Sequence, residues 1–123
     1  MQFLDKLSPY VHWGLRLSLA ATFIYHGVGK FPPDGFAPMV GGSMAVAWAV
    51  AIAEVVAGVL LIVGAFTNEK LTRLGGLMVI VIMIGAIYIA HWKNGWNVMS
   101  GGMEFPVMML AVGLYFAARG NKV

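Results

Sequence analysis

The sequence predicts an all-α integral membrane protein, a four-helix bundle with both termini on the cytoplasmic side. Three observations lead there. Of 123 residues, 60% are apolar and only 11% charged, with a mean hydropathy of +0.83; a water-soluble domain this small needs far more polar surface. The apolar residues form long blocks rather than alternating with charge, and blocks of about 18–25 residues are what a hydrocarbon core roughly 30 Å thick asks of a helix. The lysines and arginines gather mainly at block ends, where membrane topology places them. By length, residues 1–123 make one transmembrane domain.

The first span runs from about Tyr10 to Gly29 and stops at Pro32, Pro33, Asp34 and Gly35, since proline withholds a backbone donor and glycine loosens the chain. Leu17 to Tyr25 could be taken for the apolar core of a signal peptide. The long leading segment with Asp5 argues for a retained span instead. The second span covers about Ser43 to Ala65 and is separated from the third, about Leu71 to Ala90, by Asn68 to Lys70. Lys93 to Gly102 then leads to a short fourth span, about Met103 to Ala118, which tilts little or thins the local bilayer.

Cations set the orientation. With the N-terminus inside, Lys6, Lys70, Arg73, Arg119 and Lys122 face the cytoplasm and only Lys30 and Lys93 face outward. Trp92 and Trp96 then mark the outer interface, and Tyr10 and Trp13 the inner one. The net charge of +3 is thus topological, with no stripe for nucleic acid. The absence of cysteine excludes disulfides, thiolate metal sites and covalent haem attachment through this chain.

The two outer loops repeat a pattern. Gly35-Phe36-Ala37-Pro38-Met39-Val40-Gly41-Gly42 and Gly95-Trp96-Asn97-Val98-Met99-Ser100-Gly101-Gly102 both read glycine, aromatic, two residues, Met, one residue, Gly-Gly. His26 or His91 precedes each copy. The reading is two repeated helical hairpins of the same orientation, related by a pseudo-twofold along the membrane normal.

Polar residues inside the spans are the candidates for function. On a helical wheel His12, Arg16, His26 and Lys30 share an arc of about 80°. Arg16, costing about 2.5–3.5 kcal/mol if unpaired near the membrane centre, must find a partner in the bundle or snorkel to the inner interface. Glu54 lies mid-span with Ala47, Ala51, Gly58 and Ala65 on nearly its own face. It either pairs with Arg16, bonds to a neighbouring helix, or bonds to a ligand. Glu104 opens the fourth span two residues before Pro106, where capping alone can account for it. His26 and His91 end their spans with Lys30 and Lys93 close by, and with Glu104 could form an outward-facing pocket. Two histidines at one level also fit bis-His haem ligation, but they serve as well as donors to a quinone or small anion. No metal or haem is expected, and the scattered methionines form no copper pattern.

Arg16-Leu17, Phe23-Ile24-Tyr25-His26-Gly27-Val28-Gly29-Lys30, Glu54 with Gly58 and Gly64, Thr72-Arg73, Gly85-Ala86 with His91, and Gly102-Met103-Glu104 occur in an order and spacing that resemble the DoxX family of small four-helix membrane proteins. The resemblance implies the fold and a bacterial cytoplasmic (inner) membrane. It also implies a link to thiosulfate:quinone-type or thiol-stress oxidoreductase systems, with quinone as the possible cofactor.

Two functions follow as expectations. In one the bundle binds a quinone headgroup through His26, Lys30, Glu54, His91, Trp92 and Glu104, with Arg16 as a buried charge partner. Quinone reduction needs protons as well as electrons, and buried carboxylates beside histidine suit that need. In the other the chain is a non-catalytic accessory or assembly subunit that packs against other membrane subunits or copies of itself through its small-residue faces. Whether the chain is itself an enzyme is open between them.

Overall fold

The computed structural model describes residues 1–122, and among these all regular structure is helical. A short helix α1 (Gln2–Asp5) leads through helical turns into α2 (His12–Gly29), followed by α3 (Met44–Phe66), α4 (Glu69–Ala86) and α5 (Glu104–Arg119). Each long apolar block of the sequence folds as one of the four longer helices. α3, of 23 residues, and the stretch Glu69–Asn94, of 26, are each long and apolar enough to cross a bilayer. α2 has 18 residues, and the 16 of α5 span about 24 Å at 1.5 Å per residue.

Local chemistry sets the helix ends. Ser43 accepts a hydrogen bond from the Val46 amide at 3.2 Å and starts α3. Asn68 accepts from the Lys70 amide at 2.9 Å and starts α4, so only Thr67 and Asn68 separate the two helices. α4 does not stop at Ala86. It continues through a π-helical turn, Ile87–His91, and a 3₁₀ turn, Trp92–Asn94.

The sequence repeat is also a repeat of conformation. A 3₁₀ turn forms over Ala37–Val40 and over Val98–Ser100, followed by a left-handed glycine with φ +72° at both Gly41 and Gly101, a region costly to a side chain. The Gly42 amide then donates to the Ala37 carbonyl and the Gly102 amide to the Asn97 carbonyl, both at 2.8 Å and both five residues back.

α3 packs between α2 and α4, and α5 lies along α4. Small residues allow the close approach. A Cβ at Gly27 would lie 2.9 Å from the Val55 amide nitrogen, and one at Gly76 would lie 2.6 Å from the Gly113 carbonyl oxygen. Leu19, Ala20, Phe23, Ala57, Leu61, Val79, Met83 and Phe116 fill the centre. The outward side chains, among them Val28, Trp48, Ile52, Val59, Val81, Ile84 and Leu114, are apolar too. Helices apolar on all sides belong in lipid rather than water, in agreement with a membrane protein.

Candidate ligand site

α2 ends on Lys30, whose ammonium reaches across to α3 and meets Glu54 Oε2 at 2.9 Å. The Lys30 side chain keeps 20% exposure and the Glu54 side chain 8%, so this is an ion pair at the edge of the interior. The Lys30 ammonium is further placed over the Phe36 ring, 5.1 Å from its centroid, and 3.5 Å from the His26 carbonyl oxygen. Phe36 belongs to the first repeated loop, which thus closes over the pair. Attraction of a cation to an aromatic face adds about 0.5–2 kcal/mol.

The pair stands between two cavities. One, of about 220 Å³, lies between α2, α4 and α5 and includes Phe23, His26, Met83, His91, Phe105 and Met109 in its walls. The other, of about 450 Å³, lies between α3, α4 and the first repeated loop, with Phe36, Met39, Val50 and Ile82 in its walls. Lys30, Glu54, Ala86 and His91 line both. The walls are otherwise almost wholly apolar, so a ligand here meets a few polar groups set in a greasy surround, the usual composition of a small-molecule site.

His91 occupies the last position of the π-helical turn. Its Nδ1 lies 2.8 Å from the Gly101 carbonyl oxygen in the second repeated loop, which also accepts from Asn94 Nδ2 at 3.2 Å. The second loop therefore positions His91 as the first positions Lys30. Turns with i→i+5 bonds recur at functional sites, and His91 is carried by one.

Four of the sequence candidates, His26, Lys30, Glu54 and His91, come together around the smaller cavity. Trp92 is 64% exposed and sits with Ile84, Ile87 and Tyr88 on the outer side of α4. Glu104 turns back to its own loop, accepting from the Val98 amide at 2.6 Å. Among the described residues no three of His, Cys, Asp and Glu group closely enough to hold a metal ion.

Arg16 has a separate environment toward the other end of α2. It is fully buried and its partners are neutral, in contrast to the Glu54 pairing left open by the sequence. Glu54 goes to Lys30 because Lys30 lies at the same end of α2 as the acid. Arg16 donates to the Leu61 carbonyl, to Thr72 Oγ1 at 3.0 Å and to Asn121 Oδ1 at 3.2 Å, with the Phe116 ring 4.7 Å away. Thr72 Oγ1 donates to Asn121 Oδ1 at 2.7 Å, and Asn121 Nδ2 donates to the Gly64 carbonyl at 2.9 Å. One cation thus ties α2, α3, α4 and the segment after α5 together. Phe36, Thr72 and Asn121 were not among the site candidates of the sequence, Thr72 having figured only in the family pattern. The repeat was a signal for Phe36, whereas a lone Asn beyond the last helix carried none.

The sequence profile of the DoxX family matches residues 12–92. The chain belongs to the DoxX family. Lys30, Glu54 and His91 fall inside the stretch that matches DoxX, while Glu104 and Asn121 fall beyond it. The chain is also similar to a Haemophilus influenzae protein described as uncharacterized, with 31% identity over 127 positions covering 98% of this chain and 90% of that one. No solved structure matches.

Proposed function

We propose that this DoxX protein crosses the bacterial inner membrane four times, as a bundle with both ends in the cytoplasm, and binds a quinone-type ligand near the outer interface. On this reading it serves a thiosulfate:quinone-type or thiol-stress oxidoreductase system. The observation that carries the proposal is the Lys30–Glu54 pair, shared with His91 by two apolar cavities. A quinone combines an apolar ring and tail with polar oxygens, and the larger cavity has the apolar walls to take a ring while the shared edge offers the polar contacts. Lys30 supplies positive charge at the edge, and His26 and His91 carry ring nitrogens able to donate or accept a hydrogen bond. With no cysteine in the chain, electrons would come from a donor held by a partner or bound alongside.

Calorimetric titration of a short-chain quinone into protein held in lipid nanodiscs tests the reading. Saturable binding that weakens at least about tenfold in Lys30→Met, in a variant that still melts cooperatively, supports it; equal binding by both proteins removes it.

An accessory role is the second reading, and one feature favours it. Leu77, Val81, Ile84, Tyr88 and Trp92 are all more than half exposed, at 52, 69, 56, 82 and 64%, and recur at helical spacing along one face of α4. Such a stripe suits another transmembrane helix as well as lipid. A stable complex with a larger membrane protein, lost on substituting Val81 and Tyr88 while ligand binding persists, supports this role.

A further inference from the structure

The hydrogen bonds already made at the Lys30–Glu54 edge determine what a ligand must bring. The Gly101 carbonyl oxygen can only accept, so His91 Nδ1, 2.8 Å away, must carry the hydrogen. In the neutral ring Nε2 then has a free lone pair. Glu54 uses Oε2 for Lys30, and Oε1 has no partner among the described residues. Lys30, the obvious donor, already has its ammonium directed to Glu54, to the His26 carbonyl and to the face of Phe36. The edge shared by the two cavities therefore holds two unused acceptors, Glu54 Oε1 and His91 Nε2, and a donor that is largely committed.

From this we infer that the site selects ligands that donate a hydrogen bond, an apolar ring bearing a hydroxyl, and so prefers the reduced, hydroquinone form over the quinone. The inference rests on the ligand-binding reading above and adds the redox state of the ligand to it. A quinone offers only carbonyl acceptors, which would leave both acceptors on the protein desolvated and unpaired, and an unmade bond in such a setting is costly. His91 is the specificity residue, and the second repeated loop sets it by fixing its tautomer through Gly101. A tenfold preference for the reduced form would raise the midpoint potential of the bound couple by about 30 mV for two electrons.

The test compares three decyl-substituted probes in nanodiscs under anaerobic conditions: the hydroquinone, its dimethyl ether and the benzoquinone. The expected order has the hydroquinone about tenfold or more tighter than the other two, which share its ring and tail but donate no hydrogen bond. His91→Asn keeps an amide donor for the Gly101 carbonyl and removes Nε2, so the protein folds and the preference shrinks severalfold, chiefly through weaker hydroquinone binding. Quinone binding as tight as hydroquinone, or a preference unchanged in His91→Asn, overturns the inference and leaves the ligand-binding reading standing. Binding of none of the three overturns both.

Discussion

Lys30 Nζ and Glu54 Oε2 lie 2.9 Å apart, so the acid in the middle of α3 is neutralised by a cation from the C-terminal end of α2. Removing one member of such a pair leaves the other charge desolvated, at a cost of about 3–5 kcal/mol when burial is deep. Glu54→Gln is expected to lower the melting temperature clearly, and Lys30→Met by a similar amount. Joining them in one protein should recover part of the loss, because no orphan charge remains. Thermal denaturation of the three variants in one detergent checks this; additive losses in the double variant would contradict the pairing.

Arg16 and Asn121 provide a contrast, since their network is remote from both cavities. Asn121→Ala takes a partner from Arg16, Thr72 and the Gly64 carbonyl at once, and each unsatisfied buried group costs about 1–3 kcal/mol. Stability should fall while affinity for a cavity ligand stays within about twofold. A variant of normal stability and lost binding would show that this network belongs to the ligand site instead.

The close helix contacts can be probed by a single methyl group. Gly76→Ala places a Cβ 2.6 Å from the Ala117 amide nitrogen and the Gly113 carbonyl oxygen, and overpacking of this kind costs about 1–3 kcal/mol. Gly14→Ala meets nothing within 4 Å and should be neutral or stabilising by about 0.5–1 kcal/mol, since alanine restricts the unfolded helix segment. Comparable melting temperatures for the two variants would mean that α4 and α5 do not approach as described.

Much of the fold was legible because lipid imposes a simple demand. Four apolar blocks separated by prolines, glycines and polar residues became four long helices, with α3 and α4 starting at Ser43 and Asn68 through side-chain caps. The repeat of Gly35–Gly42 in Gly95–Gly102 was legible too, and Gly41 and Gly101 share a φ of +72°, although Gly42 and Gly95 have positive φ where their counterparts Gly102 and Gly35 do not. Pairing was harder to read. A helical wheel put Arg16 and Lys30 on one arc but not which of them lies level with Glu54, and depth decided the partner. The π-helical turn at His91 has no sequence signature, and Asn121 enters the Arg16 network only because the chain folds back after α5. Glu104 differs again: the sequence placed it as a cap on its own helix, but its carboxylate accepts from the Val98 amide of the preceding 3₁₀ turn.

Trp92 separates the two uses of α4. Its ring lies on the exposed stripe with Tyr88 and outside both cavities. Trp92→Ala should therefore leave ligand affinity unchanged within about twofold while weakening any helix partner or the protein's interfacial anchoring. Titration of the same short-chain quinone into this variant checks it; a tenfold loss would put Trp92 back in the site.

The most direct test of the central claim is native mass spectrometry of the protein extracted gently from its own membrane, with released small molecules identified. A quinone-class molecule is expected on the chain, and is expected to be absent from a folded protein carrying Lys30→Met and Glu54→Gln together. A stable larger complex with no such molecule on this chain would contradict it, and the accessory reading would then stand.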